Sequence, residues 1–172
     1  MLKVTHRDLI DRALAEVETL DVDDAVALLA DDDTVFVDLR DPRELEREGK
    51  VPNAFHAPRG MLEFWVDPSS PYHKDIFASG KRLVFYCQSG WRSALATKAV
   101  QDMGLERVCH MGDGYRGWKD SGAATEEVDE AAPGRQVKER ARVRANADAR
   151  AANGDETVEG AEGRDRGARV GE

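Results

Sequence analysis

Between Ser121 and Glu172 the chain contains no aromatic residue and no Leu, Ile or Met. Ala, Gly, Glu, Asp and Arg make up most of this stretch, which cannot bury enough apolar surface to offset the entropy of ordering it. Residues 121–172 are therefore expected to be a low-complexity, mixed-charge tail, disordered or transiently helical. Within it, Arg135 to Arg150 carries six Lys or Arg against two acidic residues. Without aromatic platforms or a folded basic face, that segment does not read as a nucleic-acid site. There is also no apolar run of 18 residues, and Met1 to Leu20 is charged throughout, without the apolar core of a signal peptide. A cytoplasmic protein with no membrane partner is expected. The two cysteines, Cys87 and Cys109, do not form a Cys-x-x-Cys pair, and a reducing compartment suits free thiols. His6, His56, His73 and His110 are scattered, and no His, Cys or carboxylate cluster has metal-ligand spacing, so no metal is expected. A formal net charge of -9 and a pI near 5.0 disfavour nucleic acid and anionic membranes as partners.

What is present is an alternation of strands and helices ahead of residue 120. Leu9, Ile10, Ala13, Leu14 and Val17 fall at helical spacing behind a Thr5 or Asp8 cap, so residues 1–18 should carry an amphipathic helix packed on the core. Residues 18–22 read as a short edge strand and 23–30 as a second helix, with Ala25, Val26, Leu28 and Leu29 inward. Strands are expected near 19–22, 34–38, 54–56, 82–86 and 107–111, which gives a three-layer α/β/α domain over 19–120 with a mostly parallel sheet of about five strands. Ligands on such sheets bind beyond the carboxyl ends of the strands, where Cys87, Asp38 and the turn after His56 would meet.

One segment reads as a loop built for chemistry. Cys87-Gln88-Ser89-Gly90-Trp91-Arg92 lies between the apolar run Leu83-Val84-Phe85-Tyr86 and an amphipathic stretch, Ser93 to Met103, with Ser93 as a cap and Gly104 as a stop. At a strand-to-helix junction, unpaired backbone NH groups and the helix dipole stabilise an anion, so Cys87 should be partly thiolate near neutral pH. Gly90 permits a left-handed or tightly curved backbone, and Arg92 supplies a cation at the rim. A merely buried thiol would need none of these neighbours. Cys109, on an expected strand, is most simply core.

Cys-x-x-Gly-x-Arg-Ser after a buried strand, here Cys87 to Ser93, resembles the active-site loop of rhodanese-like sulfurtransferases. Three other segments resemble the same family: Val35 to Asp41 followed by Glu44, Gly49 to Gly60, and Met111 to Trp118. The similarity covers roughly residues 19–120. It implies a single-domain rhodanese fold and a sulfane sulfur moved from a thiosulfate-like donor to cyanide or a thiol, including a protein thiol. Cys87 would be the nucleophile, carrying a covalent persulfide with no separate cofactor. Gln88, Ser89, Gly90, Trp91, Arg92 and Ser93 would bind the substrate, with Arg59 as a second cation. Four residues separate Cys87 from Arg92, one fewer than in protein tyrosine phosphatases, so the loop suits a single sulfur better than a phosphoryl group.

Several roles stay open between alternatives. Arg92 either contacts an anion or pairs with Asp38 or another carboxylate to brace the loop. Trp91 flanks the pocket mouth or packs on the adjoining surface. Asp38 reads as an anchor of hydrogen bonds, and Arg40 with Glu44 as a local ion pair four residues apart. His56 reads as a satisfied structural histidine. Gln88 stands where thiosulfate-preferring members often have Arg or Lys, which keeps a second function in view: a sulfur-delivery or interaction module with little turnover on free small donors. In the turn Gly49 to Ala54, Asn53 replaces the family's second glycine, and Asn tolerates a left-handed backbone.

Overall fold

The computed structural model describes residues 2–128, and the rest of the expected tail, 129–172, lies outside the described residues. The described strands are β1 (Thr19–Leu20), β2 (Thr34–Asp38), β3 (Phe55–His56), β4 (Arg82–Tyr86) and β5 (Val108–Met111), in the order β1-β5-β4-β2-β3. Every neighbouring pair is parallel, and Asp38 lies in register with both His56 and Tyr86. The helices are α1 (His6–Leu14), α2 (Val22–Ala27), α3 (Pro42–Glu48), α4 (Leu62–Val66), α5 (Trp91–Asp102) and α6 (Gly114–Asp120).

Side chains alternate across β4, and that alternation builds two apolar layers. Leu83 and Phe85 pack with Leu62 and Val66 of α4 and with Ala96 and Val100 of α5. Val84 and Tyr86 face the other way, onto Ala25 of α2 and Tyr115 and Trp118 of α6. Because both faces are covered, β2 and β4 read in sequence as nearly continuous apolar runs rather than as alternating ones. The α/β architecture with a parallel sheet is therefore the one expected.

The differences are local. The first helix ends at Leu14, three residues before the expected Val17, after a capping box between Thr5 and Asp8. Ile10, Ala13 and Val17 are buried, whereas Leu9 and Leu14 lie on an exposed side. Asp21 caps α2 one residue earlier than expected, and Leu28 and Leu29 fall in a 3-10 turn after it. Asn53 adopts the left-handed conformation, with φ of 59°.

Contacts with the domain continue past the expected boundary at residue 120. Lys50 and Glu126 form an antiparallel bridge with two backbone hydrogen bonds of 2.9 Å, and Glu126 pairs with the buried Lys50 ammonium at 3.1 Å. Trp118 Nε1 donates to Ala124 O at 2.8 Å. These anchors are polar, so a search for apolar content could not find them. No described helix is long and apolar enough to cross a membrane.

Candidate active site

The sheet brings the ends of β2, β4 and β5 side by side, and Cys87 follows directly on β4. Its carbonyl accepts from Tyr115 N at 2.7 Å, and the next carbonyl, of Gln88, accepts from Arg116 N at 3.1 Å. The segment after β5 thus clamps the loop from below. Two glycines make that approach possible. Gly90 has φ of 83°, and a Cβ there would lie 1.8 Å from Gly112 O. Gly114 has φ of 61°, and a Cβ there would lie 2.4 Å from Cys87 O. Both conformations disfavour any side chain, and both collisions are with backbone. Gly90 has the left-handed backbone expected of it.

Gly90 itself occupies the cap position of α5, so Ser93 is not the cap expected from sequence. The loop closes earlier and turns the Ser93 side chain inward. Ser93 Oγ lies 3.0 Å from Gly90 O, 3.7 Å from Cys87 Sγ and 3.3 Å from His110 Nδ1, all buried. Cys87 is 1% exposed, and the twelve-residue helix α5 begins four residues after it, at Trp91. Ser89 is half-buried in the loop.

Arg92 braces the loop through Glu44. Its Nη1 and Nη2 donate to the two Glu44 oxygens at 2.7 and 2.8 Å, a bidentate pair that ties α5 to α3. The same bonds hold the Glu44 carboxyl below its usual range. They also raise the Arg92 guanidinium against the pull of burial, and negative charge on Cys87 adds to the rise.

The local Arg40–Glu44 ion pair expected from sequence does not form. Arg40 is fully buried and turns back to Asp38, with Nη2 donating at 2.6 Å and Nε at 3.0 Å. Its guanidinium lies 3.9 Å from the Tyr115 ring centroid and donates to Gly49 O at 2.7 Å. Burial pulls Arg40 down, yet the Asp38 hydrogen bonds outweigh it and hold the group above its ordinary value. Asp38 is the hydrogen-bond anchor anticipated, its Oδ1 also accepting from Arg40 N at 3.0 Å. Gln88 joins this network rather than projecting alone: Arg40 Nη1 donates to its Oε1 at 3.4 Å, and its Nε2 donates to Glu48 at 3.1 Å. Lys119, then Arg47, push the Glu48 carboxyl down to about 2 against burial, with Gln88 adding to the effect.

Arg59 shares the same sheet edge, its N donating to Leu39 O at 3.3 Å, but its guanidinium is held by Glu63 at 2.8 and 2.9 Å. Trp91 is 51% exposed and meets His6 of α1, with ring centroids 5.9 Å apart. His56 Nε2 bonds Arg40 O at 2.9 Å, a structural role. Cys109 is buried in the core, and burial raises its thiol.

Sequence reasoning missed His110 and Glu48. His110 lies on a strand buried on both faces, where spacing along the chain carries no sign of contact with Ser93, 17 residues away. Glu48 reads as an exposed helix-end carboxylate until Lys119 and Gln88 are brought to it.

The chain is similar to several known proteins. A solved protein of unknown function from Rhodopseudomonas palustris, described as a possible tyrosine phosphatase, is similar at 49% identity and a TM-score of 0.72, covering 73% of this chain and 97% of its own. An uncharacterized Synechocystis protein is 33% identical over 94 residues, which is 55% of this chain and 48% of that protein, so the match spans about half of that relative's length. A protein named sulfurtransferase from Allochromatium vinosum is 28% identical over 103 residues, 59% of this chain and 88% of its own. The rhodanese-like domain family model matches residues 21–121, the span that holds β2 to β5, the Cys87 loop and its clamp, and the chain belongs to that family.

Proposed function

We propose that the protein is a sulfurtransferase in which Cys87 carries the transferred sulfur. The observation that carries this reading is the placement of Cys87 between the end of β4 and a short loop that Gly90 folds onto the start of α5, with Arg92 in electrostatic reach. The Cys87 thiolate attacks the outer sulfur of a thiosulfate-like donor, the S–S bond breaks, and sulfite leaves with the bonding pair. A persulfide remains on Cys87. Cyanide or a thiol then attacks the outer sulfur, the persulfide bond breaks, and the Cys87 thiolate returns. Sulfite is a good leaving group without protonation, so no acid beside Cys87 is required. Loop NH groups and the dipole of α5 favour the anionic sulfur at both stages. Neither a metal nor a separate cofactor takes part.

A second reading is favoured by the pairing of the cations. Arg92 is held by Glu44, Arg59 by Glu63 and Arg40 by Asp38, in a chain of net charge -9. A free dianion meets little uncompensated positive charge, so a sulfur-delivery module loaded by a partner protein fits the same loop.

Intact mass, before and after thiosulfate and again after cyanide, separates these readings. Sulfur transfer predicts a gain of one sulfur that is absent in Cys87→Ser, retained in Cys109→Ser and removed by cyanide. No gain from thiosulfate, with loading by a protein persulfide instead, selects the delivery reading. The description of the Rhodopseudomonas relative adds a control with an aryl phosphate. Cys87-dependent hydrolysis would overturn both readings, since four residues between Cys87 and Arg92 make a ring too small for a phosphoryl group.

A further inference from the structure

A polar chain runs behind the sulfur, through groups the transfer chemistry does not call on. Thr19 Oγ1 lies 2.9 Å from His110 Nε2, His110 Nδ1 lies 3.3 Å from Ser93 Oγ, and Ser93 Oγ lies 3.7 Å from Cys87 Sγ. His110, Ser93 and Cys87 are each 0 to 1% exposed, so water does not compete along this path. Ser93 has a single hydroxyl hydrogen and three acceptors within reach: Gly90 O, the sulfur and, in one tautomer, His110 Nδ1. Which tautomer His110 adopts therefore decides whether its Nδ1 competes with the sulfur and Gly90 O for that hydrogen.

We propose that His110 is a positioning residue for Cys87. Protonated on Nδ1, it donates to Ser93 Oγ and leaves the Ser93 hydrogen to Gly90 O and the Cys87 sulfur, of which the anionic sulfur, as thiolate or as persulfide, is the stronger acceptor. Thr19 completes the chain by donating its hydroxyl hydrogen to His110 Nε2. With Nδ1–H, every member is satisfied in one direction. With Nε2–H, the neutral ring nitrogen would draw the Ser93 hydrogen away from an anionic sulfur, the stronger acceptor. Burial pushes His110 down to about 4, against a smaller upward pull from the Met111 backbone, so the ring is neutral across the working range and acts as a fixed donor rather than a charge. The charged group that faces Cys87 is Arg92, itself paired with Glu44, and both keep their charge above pH 5.

The proposal rests on Cys87 as the nucleophile, so its test reads the thiol without requiring sulfur transfer. The rate of Cys87 alkylation by iodoacetamide is followed against pH in a Cys109→Ser background. Ser93→Ala and His110→Leu should each slow Cys87 alkylation near pH 7 by about threefold and move the pH profile to higher pH. The double variant should shift no further than either single one, because the two side chains act in series. His110→Asn keeps an N–H near the Nδ1 position and should restore the profile. An unchanged profile in His110→Leu, or additive shifts, would overturn the proposal. If His110→Leu does not fold, the full-length wild-type protein labelled with nitrogen-15 decides. Imidazole proton–nitrogen correlations, assigned by their loss in His110→Asn, should show Nδ1 protonated, and an Nε2–H form would overturn it. Thiol shifts without thiosulfate loading would sink the transfer reading and leave the relay standing.

Discussion

Glu48 and His110 show how single titrating groups tie this fold to pH, each with its own window. Glu48 is held at about 2 by Lys119 first, then by Arg47 and Gln88, against 4.5 ordinarily. A carboxyl with a depressed folded value binds more protons when unfolded, so its stabilisation is complete above pH 4.5 and is lost as pH falls towards 2. Glu44, lowered by Arg92, contributes in the same direction. His110 is neutral in the fold and titrates near 4 instead of 6.5. Its unfolded form takes up the proton first, so stability declines as pH falls from 6.5 to 4 and levels off below. Thermal unfolding between pH 8 and 2 should show both declines, and His110→Asn should remove the upper one while leaving the lower.

At the scale of elements, the β4 to α5 connection depends on backbone meeting backbone. Gly90→Ala would place a Cβ 1.8 Å from Gly112 O in a left-handed conformation, and neither partner is a flexible side chain. Gly80 has φ of 72° but nothing within 4 Å of its Cβ position. Chemical denaturation should therefore separate the two. Gly80→Ala costs only the left-handed penalty of roughly 1 kcal/mol, whereas Gly90→Ala costs about 3 kcal/mol or more and, on the proposed function, should abolish sulfur loading. Equal losses for the two would mean that the Gly112 contact does not set the loop. The bidentate Arg92–Glu44 pair has a related role, since it fixes α5 against α3 and so sets where the loop stands over Cys87.

For the molecule as a whole, the closing segment matters more than its composition suggests. Lys50 is 6% exposed, and Glu126 supplies the carboxylate that offsets its burial. A chain ended after Asp120 loses that partner and also the carbonyl that accepts from Trp118 Nε1. Its melting temperature should fall by several degrees, while a chain ended after Val128 keeps both contacts. Equal stability of the two would show that the bridge at Lys50 contributes nothing. The net charge of -9 acts at this scale too, because it opposes the approach of anionic donors. On the proposed function, transfer from thiosulfate should therefore be faster at moderate salt than at low salt.

Much of this was legible in the residues alone. Apolar runs and helical spacing fixed the α/β class and placed the five strands, because burial on both faces of a parallel sheet leaves a strong local signal. The Cys87 to Ser93 spacing located the loop, and Gly90 could be assigned since positive φ is a property of one residue. Polar partners were another matter. Asp38, Glu44, Glu63 and Glu126 were all available to the cations, and charge alone cannot choose among carboxylates that lie anywhere from two to seventy-six residues away along the chain. The tertiary structure chose: it gave Arg40 to Asp38, Arg92 to Glu44 and Lys50 to Glu126, and it brought His110 to Ser93. The physical reason is one of range. Backbone conformation and apolar periodicity are written in neighbouring residues, whereas a hydrogen bond is decided by a few tenths of an ångström between groups that only the folded sheet brings together.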